Sequence, residues 1–286
     1  MFTQLLINGL IAGSIYALVA SGFSLIYSTS KFVNFAHGAV VAFSAYLLFL
    51  FSMIIGWNFW VSIIFTLIVS MIIGYGLHKF YSLFRARKSS SVILLIVSFG
   101  VLVFLESLIL MIYGAEIKTV NPFPVQKGIS IFGGIITPLQ ITLVLVAILL
   151  FVALFLFMKH TKTGKAIRAV SDSKEVSEII GISAERIYGI VFIIASLIGA
   201  IAGILIGLEQ NLEPTMGSQL IIKGFTGAVI GGIGSVPGAI AGSAILGFAE
   251  NFGIWYLPSG YKDAIAFVLL FIFLLFMPQG LFGRKK

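Results

Sequence analysis

Residues 222–250 read IKGFTGAVIGGIGSVPGAIAGSAILGFAE. Eight of these 29 residues are glycine, Pro237 stands near the centre, and Lys223 and Glu250 carry the only charges. The stretch is apolar enough for a bilayer but too interrupted for one regular helix. At ~1.5 Å per residue, with about 20 residues needed per crossing, it is long for one span and short for two. It therefore reads as a re-entrant hairpin or a pair of half-helices turning near Gly234-Ser235-Val236-Pro237. If an earlier segment is misplaced, the alternative is one long tilted span. Non-helical backbone survives at membrane depth only where protein or a water-filled cavity covers it. Broken apolar segments of this kind belong to transport pathways, which makes Gly232, Gly234 and Pro237 candidates for lining one.

The remainder of the chain is equally apolar. Of 286 residues 59% are hydrophobic and only 10% charged, where a soluble domain carries about a quarter charged. That excludes an ordinary soluble enzyme, a disordered chain and a nucleic-acid-binding module. About 169 apolar side chains, at about 20 per crossing, allow about eight segments. Charge-poor runs place seven of them near 5–27, 37–55, 60–78, 91–113, 137–158, 187–208 and 264–277, and the glycine-rich stretch makes the eighth. The expected fold class is an all-α polytopic membrane protein, a single transmembrane domain over 1–286 with an extramembrane loop at 159–186. The N-terminal run lacks a basic leader and is too long for a signal segment, so it is expected to be retained as the first span.

Two basic loops set the expected orientation. Residues 79–90 carry Lys79, Arg85, Arg87 and Lys88, and residues 159–186 carry Lys159, Lys162, Lys165, Arg168, Lys174 and Arg186. With both loops cytoplasmic, alternation places Lys31 and the tail Arg284-Lys285-Lys286 inside and the N-terminus outside. Fourteen basic residues then lie inside, against Lys118, Lys127, Lys223 and Lys262 outside, a strong positive-inside bias. The net charge of +8 is explained in this way without nucleic acid. With no cysteine in the chain, thiolate metal sites and disulfides are excluded.

Small residues recur at four-residue spacing at Gly9, Gly13, Ala17 and Ser21, at Ala195, Gly199, Gly203 and Gly207, and at Gly234, Gly238 and Gly242. Each set lies on one helix face and lets backbones approach closely in a bilayer. Ionisable groups at depth are few. Glu106, two-thirds along the fourth segment, costs at least ~2.5–3.5 kcal/mol if ionised at mid-bilayer, so it should face the bundle interior, lining a path or pairing with a neighbouring subunit. His37, with Asn34 just before it, opens the second segment at the cytoplasmic side, as a helix cap or part of a gate. Glu250 and Asp263 are expected near the outer rim. No catalytic or metal-ligating constellation is present. The nearest Gly-Lys pair, Gly164-Lys165, is followed by Ala166 and lacks the spacing of a phosphate-binding loop. No cofactor is expected on this chain, and energy is expected from another.

The loop 159–186 is patterned to receive it. Gly164–Val170 offers a helical turn or two. Asp172 with Glu175 three residues on forms a capping-box arrangement, Val176, Ile179 and Ile180 share a face, and Gly181 stands where a C-terminal glycine belongs. Glu175-Val176-Ser177-Glu178-Ile179-Ile180-Gly181 resembles the Glu-Ala-Ala-x-x-x-Gly loop of binding-protein-dependent ABC importer permeases, with both alanines replaced. Gly13–Leu18, Val33–Gly38, Thr163–Val170, Pro214–Gly217, Gly231–Ala239 and Pro278–Gly283 are similar, in order, to the LivH-type permeases of branched-chain amino acid importers. The resemblance implies a prokaryotic inner-membrane subunit paired with a LivM-like permease, two ATPases that hold ATP and Mg, and an extracytoplasmic binding protein. It places the ATPase-coupling role at Gly164, Arg168, Asp172, Glu175, Glu178 and Gly181. Related importers for urea, short amides or other small solutes share these motifs, and an ion-coupled carrier is the rival from another class.

Overall fold

The computed structural model describes residues 1–122, 127–131 and 133–283. In chain order the helices are α1 (Phe2–Ser30), α2 (Ala36–Phe49, continued by a π-helical turn to Ile54), α3 (Phe59–Ala86), α4 (Ser91–Tyr113), α5 (Pro138–His160), α6 (Lys162–Asp172), α7 (Lys174–Ile179), α8 (Ala184–Glu209), α9 (Met216–Gly231), α10 (Val236–Gly253) and α11 (Lys262–Phe276). Six of them, α1, α2 with its π turn, α3, α4, α5 and α8, are long and apolar enough to cross a membrane. Their bounds fall within a few residues of the expected segments, except that α3 runs on to Ala86, eight residues past the expected end and through most of the expected loop 79–90. Asn58, Ser90, Thr137 and Ser183 cap the first turns of α3, α4, α5 and α8 through their side chains, satisfying amide donors that a helix start leaves open.

The helices differ in how deeply they sit. The apolar windows of α1 and α8 are 83% and 72% buried, whereas those of α3, α4 and α5 are 22% buried. The small-residue faces explain the central position of the first two. In α1, Gly9 and Gly13 receive Phe248 and Ala244 of α10. In α8, Gly199, Gly203 and Gly207 receive His37, Val41 and Ala45 of α2. The outer helices present Leu, Ile, Val and Phe side chains to what surrounds the chain, as a lipid-facing surface does.

The bundle has two distinguishable ends. At one, the strands β1 (Ile129–Ile131) and β2 (Gly134–Ile136) pair antiparallel and clasp the start of α1, since the Ile135 amide donates to Gln4 Oε1 at 2.8 Å. At the other, the Ser171 hydroxyl at the end of α6 donates to the Ser28 carbonyl at the end of α1, at 2.8 Å. Eleven described basic residues (Lys31, Lys79, Arg85, Arg87, Lys88, Lys159, Lys162, Lys165, Arg168, Lys174 and Arg186) gather at the α6–α7 end, and Lys118, Lys127 and Lys262 at the β end. The expected basic tail, Arg284-Lys285-Lys286, lies outside the described residues.

The glycine-rich stretch is a broken pair. α9 and α10 meet at a bend of 112° across 232–235, with φ of +109° at Gly232 and +91° at Gly234, values that favour glycine. The bend excludes one straight tilted helix and makes the stretch two helices, as in a broken span or a re-entrant loop. It corrects the expected bounds, because α9 begins at Met216 rather than 222 and the pair covers 216–253. Sixteen and 18 residues give helices of ~24 and ~27 Å, enough for the turn to reach the level of Tyr27 and Ser28 at the α6–α7 end. There Leu281 and Phe282, beyond α11, donate to the carbonyls of Ile230 and Gly231, both at 2.9 Å.

Candidate functional site

Between α1 and α2 the chain does not simply turn at the membrane surface. Lys31–Phe35 is non-helical and descends into the bundle, so α2 starts at depth. Its backbone is held from two sides: the Phe35 amide donates to Ser98 Oγ (3.1 Å), Ser98 Oγ lies 3.2 Å from the Val33 carbonyl, and the Tyr81 hydroxyl donates to Asn34 Oδ1 (3.0 Å). These bonds are the covering that non-helical backbone requires away from water.

His37 is consequently not at the cytoplasmic edge, as the sequence suggested. It is 1% exposed and fills the space left by two glycines: a Cβ on Gly22 or Gly199 would lie 2.5 or 2.9 Å from its ring. Gly22 is eight residues, or ~12 Å, inside the end of α1. Among the described residues Asn34 Nδ2 has no hydrogen-bond partner, and the His37 ring meets only the Val19 backbone, outside ordinary hydrogen-bond geometry. Buried polar atoms of this kind are uncommon in a settled core.

A second helix N-terminus lies beside the first. Glu106 of α4 accepts from the Ser218 amide and the Ser218 hydroxyl, each at 2.7 Å. Its carboxylate therefore sits on the first turn of α9, where the helix dipole and open amides favour negative charge. A Cβ on Gly217 would lie 2.8 Å from the Gly38 carbonyl oxygen, so the starts of α2 and α9 touch. Asn34, His37 and Glu106 are thus brought into one contiguous region. Gly232, Gly234 and Pro237 are not: they lie at the far end of α9, about 21 Å away along its axis, with Gly232 against Gln279 and Gly283 and Gly234 against Tyr27 and Ser28.

A third cluster has no counterpart among the expected sites. Lys223, counted on the outside at the start of the glycine-rich stretch, is the eighth residue of α9. Its Nζ lies 3.1 Å from Glu250 Oε1 and 3.0 Å from Asp263 Oδ1, and Tyr16 donates to Glu250 Oε2 at 2.6 Å. Glu250 is completely buried rather than rim-exposed. The available signal is a lysine inside an apolar, glycine-rich run with an acid 27 residues on.

At the α6–α7 end the loop folds as two helices. Gly164 allows α6 to turn tightly on Phe157–Met158, and Ile167 and Val170 are buried against the bundle. Arg168 reaches the Lys159 carbonyl at 3.4 Å. The cap of α7 is Ser173, whose side chain accepts from the Val176 amide at 3.3 Å. Asp172 instead ends α6, because the break in helical geometry falls at Ser173 (φ −152°, ψ 117°). Glu175 is in the first turn, Lys174 and Glu178 pair at 3.8 Å, and Gly181 takes φ +85° as a C-terminal glycine does. Val176, Ile179 and Ile180 are 58%, 83% and 65% exposed, an apolar face that the bundle does not cover.

Six membrane-length helices, the starts of α2 and α9 meeting at depth, and a capped amphipathic unit with an open apolar face at the basic end are the features of a polytopic transport permease. The chain belongs to the family described as branched-chain amino acid transport system / permease component, which matches residues 5–274. It is 33% identical over 298 residues to the high-affinity branched-chain amino acid transport system permease protein BraD of Pseudomonas aeruginosa, covering 100% of this chain and 97% of that one. To the protein LivH of Salmonella typhimurium, of the same description, it is 34% identical over 297 residues, covering 100% and 96%. The ribose import permease protein RbsC of Escherichia coli is 28% identical over 164 residues, 52% of this chain and 51% of that one. No solved structure matches the chain.

Proposed function

We propose that the chain is the membrane-spanning permease subunit of an ATP-driven importer of branched-chain amino acids in a prokaryotic plasma membrane. Its partners are a second, LivM-like permease, two cytoplasmic ATPases that hold ATP and Mg, and an extracytoplasmic binding protein. The α6–α7 end is cytoplasmic, so the N-terminus faces outside. The eleven-to-three distribution of described basic residues supports that orientation. The carrying observation is the uncovered face of Val176, Ile179 and Ile180 on a helix fixed by Ser173 and Gly181. Gly164, Arg168, Asp172, Glu175, Glu178 and Gly181 form or frame the surface on which an ATPase docks. α6 anchors this unit to α1 and α8, so closure of the ATPases tilts the spans it touches. The path opens alternately past Glu106, His37 and Asn34 and, at its inner end, past Gly232, Gly234 and Pro237.

ATP-dependent leucine uptake by the reconstituted importer tests this reading. Glu175→Ala and Gly181→Ala should leave the permease folded but weaken ATPase binding and uptake together. Normal assembly and transport in both variants would refute the coupling assignment. The partial likeness to a ribose permease gives the second reading, an importer of another small solute. Uptake of such a solute without leucine competition would favour it.

A further inference from the structure

At the β end, where α4 meets the start of α9, the surface opens into a cavity of about 420 Å³ whose walls include Val103, Glu106, Ser107 and Leu110 of α4 and Glu213 and Thr215 of the approach to α9. A neighbouring cavity of about 200 Å³ shares Glu213 and has Gln210, Asn211 and Gln219 in its lining. Volumes of this order suit a small-molecule site. The location is unusual for a lipid-facing wall, since Val103–Leu110 lies within α4 at membrane depth and carboxylates are costly against hydrocarbon. The face therefore requires water or a second permease, not lipid, in front of it. The cavity also leads somewhere. Glu106 grips Ser218, Gly217 abuts Gly38, and the residue before Gly38 is the buried His37.

We propose that these adjoining cavities are the site at which the permease receives an amino-acid zwitterion from outside, an assignment that rests on the importer reading above. Glu213 and the free valences of Glu106 take the α-ammonium group. A carboxylate offers about four lone-pair positions, and Ser218 occupies two of those on Glu106. The amides of Gln210, Asn211 and Gln219 face the α-carboxylate with N–H donors, and Val103 and Leu110 face the apolar side chain. Sugars and uncharged amides lack the cation that two acidic side chains favour, so the site is selective by charge as well as by size.

The absence of cysteine allows a direct test in the assembled importer with its other subunits made cysteine-free. Ser107→Cys should react with membrane-impermeant methanethiosulfonate reagents added outside. The cationic reagent should react about tenfold or more faster than the anionic one, as a cleft of one charge sign steers its counter-ion. Phe104→Cys, on the neighbouring exposed face of α4, should react slowly with both. Glu213→Gln should shrink the charge preference of Ser107→Cys and lower ATP-driven leucine uptake about tenfold, the size of a lost charged hydrogen bond. Equal slow labelling of both cysteines, no charge preference, or uptake by Glu213→Gln within about twofold of wild type, with wild-type uptake intact, would overturn this site and leave the importer reading standing. Failure of the wild-type complex to take up leucine with ATP would overturn both.

Discussion

Replacing Lys223 with methionine should destabilise the protein far more than replacing the acid beside it that faces water. Lys223 is the cation nearest Glu250 (3.1 Å), and Glu250 is 0% exposed. Two unit charges at that distance attract by about 5 kcal/mol at an effective dielectric of 20. Methionine keeps the length and packing of the lysine stem but leaves a buried carboxylate supported only by the Tyr16 hydroxyl. Breaking a buried pair from one side costs about 3–5 kcal/mol. Asp263, 71% exposed, is screened, and Asp263→Asn should cost no more than about 1 kcal/mol. Adding Glu250→Gln to Lys223→Met removes the stranded charge and should recover most of the loss. Reversible unfolding of the solubilised chain in mixed micelles of mild detergent and sodium dodecyl sulfate measures these variants against wild type. Equal effects for Lys223→Met and Asp263→Asn, or no recovery in the double variant, would refute the argument that desolvation of Glu250 sets the penalty.

Three further outcomes follow from the packing. Gly203→Leu drives a side chain into the Val41 carbonyl and should abolish the α2–α8 contact, seen as loss of a monodisperse peak in detergent, because overpacking of about 1–3 kcal/mol or more has no room to relax. Ser98→Ala should cost roughly 1–3 kcal/mol in the same unfolding assay, the penalty for stranding the Phe35 amide. Replacing Val176, Ile179 and Ile180 together by serine should change the stability of the isolated chain by less than about 0.5 kcal/mol, as exposed sites do, while co-purification with the ATPases and uptake are lost.

The spans are legible because an apolar run of bilayer length seldom arises except in a helix that crosses a membrane. Depth is not legible in the same way. His37 follows Lys31, and a cation next to a span start reads as a surface marker. Only the bonds from Ser98 and Tyr81 to residues 33–35 reveal that the chain passes inward before α2 begins. Lys223 is misplaced for the related reason that counting cations by loop assigns every lysine to a surface. Its partners Glu250 and Asp263 are 27 and 40 residues away, beyond any local pattern. The first residues of α9, Met216-Gly217-Ser218-Gln219, are too polar to extend an apolar run, although in the fold Glu106 compensates for them. At the α6–α7 junction both Asp172 and Ser173 are good helix caps with suitable residues after them, and the choice between them rests on a backbone angle that sequence does not contain.

The compensation falls on one helix. α4 packs chiefly on α2 and the start of α9, and its polar handles on them are Ser98 at the first break and Glu106 at the second. Both helix starts therefore draw on this largely uncovered element, with Tyr81 of α3 adding the bond to Asn34 at the first. Glu106 makes two charge-assisted bonds, together about 3–6 kcal/mol. A bundle in which the same breaks were sealed by apolar packing on every side would need neither Ser98 nor Glu106, so these two polar side chains mark where an otherwise apolar helix meets non-helical or newly started backbone.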